Sequence, residues 1–380
     1  MKKKHILYAS CLCSKRIEQE ILKDNPKGIG LQVQKYHRLL ARGFLKNGLQ
    51  VSALSYHKAV EERYIPSSHQ ENEDGIEYNY ILAKHGYREV LKHSFLKAYK
   101  VFKENKDAVV ICDVLNLTVS FGAMVAARMM RREVIGIITD FPEQMGRSKS
   151  VYSRMVWNLI RACTGYIVLT GQMKERLNPK KPTIVLEGHV DSDIILSDNR
   201  IEKKQDKKVC LYAGMLHRKY GIENLVKAFS EIKDEKAELH IYGDGDFASE
   251  LMNNTSEMIR YHGIVSNQTV VEEEIKATLL INPRPTKEEF TKYSFPSKNM
   301  EYMASGTPLL TTNLPGMPKE YLDYVYILED ESVEGMAETI GRVLSKTKEA
   351  LHEKGMAARE FVLREKNETA QAKRIIDMLL

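Results

Sequence analysis

The sequence predicts an α/β protein built from two parallel-sheet halves, and three observations carry that reading. The chain has 380 residues, too many for one ordinary hydrophobic core, so two domains are expected. Short apolar runs of strand length alternate with longer amphipathic runs of helix length, the pattern of strands joined by right-handed helical crossovers. Between two such series lies the polar stretch SDNRIEKKQDKK at positions 197–208, which reads as a linker.

Taken in order, Ile6–Ala9 forms the first strand. A signal peptide fits poorly, because Cys11 and Cys13 are followed by the charged run SKRIEQE rather than by a clean cleavage site. The segment NPKGIGLQVQKYHRLLARGFLKNG then places Gly28 and Gly30 ahead of an amphipathic helix. Glycine there lets the backbone approach a ligand closely and adopt positive φ, or simply serves a helix-entry turn. His37, inside the helix, reads as structural. Strands follow at Val51–Ser55, Val109–Cys112, Val134–Ile138, Tyr166–Leu169 and Thr183–Leu186. Asp140, just past the third of these, suits a turn cap.

Positions 84–106 carry Arg88, Lys92, Lys97, Lys100 and Lys103 among Val90, Leu91, Leu96, Tyr99 and Phe102. Such a basic amphipathic helix is what an anionic membrane surface attracts. It also fits a helix with one face in the core and a solvated basic face.

The second series has strands at Val209–Tyr212, Leu239–Tyr242, Leu279–Asn282 and Pro308–Thr312, and the chain ends in a helix over NETAQAKRIIDMLL. IYGDGD, at Ile241–Asp246, lacks the third glycine of a dinucleotide-binding loop, so Gly243 and Gly245 read as structural. Open sheets of this kind bind ligands at the carboxyl ends of their strands, so the two halves are expected to face each other across a cleft.

Composition narrows the function. With 43% hydrophobic and 28% charged residues the chain reads as soluble and globular, and no apolar run approaches the roughly 20 residues of a membrane span. The five cysteines are scattered and odd in number, with no disulfide or zinc spacing, which points to a reducing cytoplasm. The net charge of +6 is compatible with an anionic partner. Without a zinc finger or any other nucleic-acid module, no nucleic-acid partner is expected.

The most informative stretch is YSFPSKNMEYMASGTPLLTT, Tyr293–Thr312. Pro296 suits a first helical turn, Gly306 the position just past the helix end, and Pro308 blocks continuation before a buried strand. A helix start beside Ser294, Phe295, Pro296 and Ser297 offers free amides and a positive dipole end to an anion. Glu301, just over one turn in, is placed to accept hydrogen bonds from sugar hydroxyls. An anion cradle next to a hydroxyl acceptor is the chemistry of a nucleotide-sugar pocket.

EYMASGTP, Glu301–Pro308, resembles the donor-binding signature of the retaining GT-B glycosyltransferases of family four, the group 1 glycosyl transferases, especially members that build bacterial capsular and exopolysaccharides. The resemblance implies that Glu301 binds the nucleotide ribose. The family's first glutamate is absent: Tyr293 stands eight positions earlier, and Glu288 and Glu289 are out of register. LYAGMLHRKYGIENLVKAF resembles the diphosphate-clamping segment GRLxxxKGxxxLxxAF, matching at Gly214, Leu216, Gly221, Leu225, Ala228 and Phe229. Met215 and Tyr220 replace the two clamping cations, so Arg218, Lys219 and Lys298 become the candidates for that charge.

YHGIVSNQTV resembles the segment that meets the donor base through its backbone, which nominates Gly263, Ile264 and Val265. Gly28 and Gly30 resemble the glycine loop that approaches the donor phosphates. Asp140 stands where many members carry a histidine near the reacting sugar, and is a candidate to orient a donor or acceptor hydroxyl. VLEGHVD resembles the turn before the linker, which brings Glu187 into consideration.

The resemblance implies a GT-B fold, with an acceptor domain at 1–195 completed by the terminal helix 364–380 and a donor domain at 206–363. It implies transfer of a hexose-like sugar from a UDP- or GDP-linked donor to a saccharide or lipid-linked acceptor, with retention and with no metal or other cofactor. The expected location is the cytoplasm, peripheral on the inner face of the plasma membrane. The rival readings are a nucleotide-sugar epimerase or phosphorylase of the same architecture, and a protein that binds a nucleotide sugar without turning it over.

Overall fold

The computed structural model of the protein describes residues 5–25, 29–58, 69–81, 86–144, 150–177, 180–193, 198–204, 207–253 and 256–379. The chain divides into two compact units, Met1–His189 with Glu368–Leu380, and Val190–Asn367. The expected boundaries were 195, 206 and 364; the observed divisions fall at 189/190 and 367/368.

The first unit is an eight-stranded sheet. Its strands are β1 (His5–Ser10), β2 (Gln50–Ser55), β3 (Gln70–Glu73), β4 (Ile76–Tyr80), β5 (Val109–Asp113), β6 (Val134–Ile138), β7 (Gly165–Val168) and β8 (Thr183–Val185). They lie in the order β3-β4-β2-β1-β5-β6-β7-β8. All neighbours are parallel except β3, which pairs antiparallel with β4. The hairpin β3–β4 escaped the sequence reading because QENE is polar throughout and lies at the sheet edge, with no buried face to set a pattern. The helices are α1 (Lys15–Asp24), α2 (Leu31–Lys46), α3 (Tyr87–Glu104), α4 (Leu117–Met129), α5 (Val151–Ala162) and α6 (Gly171–Arg176).

Between the first unit and the terminal helix, the second unit runs through strands β9 (Lys208–Met215), β10 (Ala237–Asp244), β11 (Ile259–Tyr261), β12 (Leu279–Asn282), β13 (Leu309–Thr312) and β14 (Tyr326–Leu328). All are parallel, in the order β11-β10-β9-β12-β13-β14. Its helices are α7 (Ile222–Glu231), α8 (Ala248–Met252), α9 (Asn267–Lys276), α10 (Ser297–Ser305), α11 (Val333–Leu344) and α12 (Lys348–Glu365). Alternation along β9 explains its near-continuous apolar run. Val209, Leu211 and Ala213 join one core cluster, and Cys210 and Tyr212 join the other, so helices cover both faces.

The terminal helix α13 (Glu368–Leu379) belongs to the first unit. It lies so close to α2 that a Cβ on Gly43 would sit 2.2 Å from the Glu368 carbonyl oxygen. Ala372, Ile375 and Leu379 enter the first core. The fully buried Glu368 carboxylate is held by Lys46 at 2.8 Å and Arg42 at 3.9 Å, so its charge is paired rather than stranded.

Candidate functional site

Strand order locates the place where a ligand fits the second unit. From β9 the chain steps one way to β10 and β11, then crosses to the other side of β9 for β12, β13 and β14. The switch therefore lies between β9 and β12. Parallel sheets of this kind take ligands outside the carboxyl ends of the strands at such a switch.

Helix α10 is fastened to these two strands by polar contacts. The Tyr302 hydroxyl accepts from the Ala213 N–H at 2.7 Å and donates to its carbonyl at 3.1 Å. Asn282, the last residue of β12, donates to Asn299 at 2.6 Å. Lys298 stands one turn ahead of Tyr302, and its Cε lies 3.6 Å from where a Cβ on Gly214 would be. A side chain at 214 would crowd both Lys298 and the Tyr212 hydroxyl. Lys298 Nζ lies 3.7 Å from Glu301 Oε2, with both side chains partly exposed. Gly214, Lys298 and Glu301 are thus neighbours.

Pro296 is the residue preceding α10, not its first turn, and no side chain caps the helix. Gly306 closes it with φ of +79°. Ser294 donates its hydroxyl to the Phe290 carbonyl at 3.1 Å, and Phe295 is buried against Tyr321. Pro296 is buried and Ser297 exposed, while Tyr293 is half-buried at the end of a short 3-10 turn, Glu289–Lys292. Residues 294–296 are therefore built into the fold, with Ser297 facing out at the uncapped, positive end of the dipole.

Gly263 has φ of +67°, and its carbonyl accepts from the Gly243 N–H at 2.8 Å. Ile264 beside it is 76% exposed, and Val265 packs partly against the core. Gly243 is structural: a Cβ there would meet the Gly214 oxygen at 1.8 Å.

The cations divide. Arg218 is tied up by Glu223 and Glu250, and its guanidinium lies over the Phe247 ring at 4.9 Å. Those two carboxylates neutralise it where it stands. Lys219 is exposed, with its Nζ 5.3 Å from the Tyr220 ring and 5.9 Å from the Phe290 ring. Met215, at the first cation position of the resemblance, is 56% exposed. Sequence reasoning missed Arg284, two residues past β12. Its guanidinium lies over Tyr220 at 4.7 Å and Phe290 at 5.5 Å. The run Asn282-Pro283-Arg284-Pro285, a cation between prolines at a strand end, was the available signal.

The first unit has its own switch, between β1 and β5. A buried polar cluster occupies it. Tyr8 OH and His37 Nδ1 are 2.8 Å apart, and His37 Nε2 is 3.4 Å from Asp113 Oδ2. With the Nε2 proton directed at Asp113, Nδ1 accepts from the Tyr8 hydroxyl. Cys11, His37 and Asp113 bring ligand-type atoms within 4.8 Å of one another. Burial and the nearby Asp113 charge push the Cys11 thiol up to about 12, so it is protonated.

The Tyr36 and His189 rings lie 4.7 Å apart at a tilt of 35°, and His189 Nε2 is 2.8 Å from the Tyr36 carbonyl oxygen. Burial lowers the His189 pKa to about 4, which keeps that ring neutral. Glu187 is buried nearby. Gly30 precedes α2 with φ of −78°, an ordinary value for any residue, so positive φ does not explain a glycine there. Gly28 lies outside the described residues.

Asp140 follows β6. Loss of solvation, reinforced by the Asp113 charge and opposed by a Thr139 hydrogen bond, raises its pKa to about 6. The residue is exposed by area, so the shift reflects protein crowding one side of the carboxyl rather than full enclosure.

Residues 207–346 match the family model described as glycosyl transferases group 1. Full-length structural similarity extends to HepE of Anabaena in complex with UDP and glucose, at a TM-score of 0.64 and 12% identity over 99% of both chains. It extends also to sucrose-phosphate synthase of Thermosynechococcus elongatus, at 0.66 and 15% identity over 99% of this chain and 98% of that one. The lipopolysaccharide outer core galactosyltransferase WaaB matches at 0.64 and 14% identity over 99% of each chain. The chain has the GT-B fold. Among curated proteins, none matches the sequence. In this GT-B chain the family match lies wholly within the second unit, where Gly214, Lys298 and Glu301 meet.

Proposed function

We propose that the chain is a glycosyltransferase that moves a hexose-like sugar from a UDP- or GDP-linked donor to a saccharide or lipid-linked acceptor in cell-surface polysaccharide synthesis. The observation that carries this reading is the placement of Glu301 beside Lys298 and Gly214 at the switch point of the second sheet. A carboxylate accepts two ribose hydroxyls, and the uncapped end of α10 with its lysine faces the phosphates. As the glycosidic bond breaks, negative charge grows on the departing diphosphate. Fixed cations and amides favour that state over the ground state, so Lys298 and Lys219 act chiefly on turnover. Two further observations lend support: HepE was captured with UDP and glucose, and WaaB acts in lipopolysaccharide outer core synthesis.

Transfer proceeds with retention, the donor's own phosphate serving as base, and without a metal. Asp140 orients a donor or acceptor hydroxyl, and the Gly263–Val265 backbone meets the base. The protein works on the cytoplasmic side of the membrane. Among the described residues no helix is long and apolar enough to cross a membrane. Helix α3 buries Val90, Ser94, Ala98 and Phe102 and leaves Leu96 half exposed on the face that also carries Lys92, Lys100 and Lys103. That face suits an anionic lipid surface.

A second reading, binding without turnover, is favoured by the exposed Met215 and the neutralised Arg218. Hydrolysis and transfer assays with UDP-, GDP- and ADP-sugars, run in EDTA, separate the two. Turnover of at least one donor in EDTA is expected. Binding with no turnover, in the presence of acceptor extract, would establish the second reading; activity lost in EDTA and restored by manganese would overturn the metal-free mechanism.

A further inference from the structure

Arg284 is a partly buried cation with its Nε enclosed and with no carboxylate partner among the described residues. Its guanidinium rests on two aromatic rings, Tyr220 and Phe290, and Tyr212 lies nearby. Burial lowers its pKa, yet a guanidinium stays charged throughout the accessible pH range. Its Nε has no hydrogen-bond partner. Among the described residues no carboxylate pairs with it. Buried charges in native proteins are ordinarily paired, because solvation is lost on burial and must be replaced.

The backbone around this cation is fixed. Pro283 and Pro285 restrict the residues on either side of it. The Arg284 carbonyl accepts from the Thr312 hydroxyl at 2.6 Å. Thr286 donates its N–H and hydroxyl to Glu331, which occupies that nearby acid. On the facing loop, Gly221 has φ of +83°, and a Cβ there would stand 2.1 Å from the Pro283 oxygen. The loops leaving β9 and β12 are therefore pressed together, with Tyr220 held against Arg284. Lys219 shares the same two rings, and it too has no carboxylate partner among the described residues. Two like charges thus share one aromatic pair at the switch point of a parallel sheet, and an anion between them would offset both.

We propose that Arg284, assisted by Lys219, anchors the diphosphate of a nucleoside diphosphate ligand, and that Arg284 takes over the charge lost where Tyr220 replaces a clamping cation. This rests on the nucleotide-sugar reading for the identity of the ligand, but the anion site stands on its own geometry. Tyr220 then serves as the platform on which the substitute guanidinium lies, with the ring face toward the cation.

The test is calorimetric titration of the full chain with inorganic pyrophosphate, UDP, GDP and the corresponding nucleosides, for wild type, Arg284→Gln and Arg284→Lys. Arg284→Gln should weaken pyrophosphate and the nucleoside diphosphate by about 30-fold or more, as expected when one side of a desolvated charge pair is removed, and leave nucleoside binding intact. Arg284→Lys should restore part of the loss, which also shows that a weakened glutamine variant is not merely misfolded. Wild-type binding of pyrophosphate that Arg284→Gln abolishes, with no nucleotide bound, would uphold the anion site and overturn the nucleotide-sugar reading. Nucleoside diphosphate binding unchanged in Arg284→Gln, or no pyrophosphate binding by wild type at high concentration, would overturn the proposal.

Discussion

The two sheets present opposite kinds of chemistry at equivalent places. At the β1/β5 switch, Tyr8, His37 and Asp113 satisfy one another in a buried chain, and His189 is kept neutral by burial. At the β9/β12 switch, Lys219 and Arg284 share the Tyr220 and Phe290 rings, Lys298 lies 3.7 Å from Glu301, and Arg218 is paired with Glu223 and Glu250. At the first end the charged group, Asp113, faces the His37 ring, and the polar atoms left without a hydrogen-bond partner, Tyr36 Oη and His189 Nδ1, are uncharged. At the second, Lys219 and Arg284 have no carboxylate partner among the described residues, and that suits it to receive an anion.

The largest effect that would break this contrast is expected at Glu301. Its carboxylate is assigned two ribose hydroxyls, each charge-assisted bond worth about 1.5–3 kcal/mol. Glu301→Ala should therefore cost about 100-fold or more in donor affinity or turnover in a protein that remains folded. Unchanged kinetics would remove the residue from the site.

Next is Asp113→Asn, which sharpens the contrast from the other side. It disturbs a buried network, so thermal unfolding should show a loss of about 1–3 kcal/mol. Nucleoside diphosphate affinity should hold, because the network carries no ligand phosphate. A large fall in nucleotide affinity with unchanged stability would mean that the first sheet end binds the donor.

Asp140 gives a pH signature. With its pKa raised to about 6, an ionised carboxylate is present above that value and lost below it. Turnover should climb as pH rises through about 6, being about tenfold below its plateau at pH 5, and Asp140→Asn should flatten that limb. The same shift means that the folded chain holds this proton more tightly than the unfolded chain, whose carboxyl titrates near 3.8. Its contribution to stability therefore falls as pH rises from about 4 through 6. Asp140→Asn should not lower the melting temperature at pH 7.

The smallest effect concerns the exposed basic face of α3. Lys92→Gln should weaken sedimentation with phosphatidylglycerol vesicles by about 1 kcal/mol, and wild-type binding should fall as salt rises. Equal binding to neutral vesicles would make the face a solvated one.

Much of this was legible in the sequence, and the exceptions have physical causes. The apolar parallel strands were readable because burial on both faces forces continuous β-branched and aliphatic runs, as in VVICD and VIGII. Strands β3, β11 and β14 were not, being short or polar edge elements. The end of α10 was readable from Gly306, while Pro296 fell one position outside the helix. Glu301 and Lys298 were found because they share one helix, three residues apart. Arg284 was not, because its significance depends on Tyr220, which follows β9, being brought against the segment after β12 that carries Arg284 and Phe290. For the same reason the Tyr8–His37–Asp113 chain, assembled from β1, α2 and β5, had no local signature.

The most direct measurement is hydrogen exchange on the full chain with and without a panel of nucleoside diphosphates. With the nucleotide that binds, protection is expected over residues 214–221, 284–286 and 294–302, and the amides around Tyr8, His37 and Asp113 should be unaffected. Protection confined to those first-unit segments, or none in the second unit with any of the nucleotides, would contradict the assignment of the donor to the β9/β12 end.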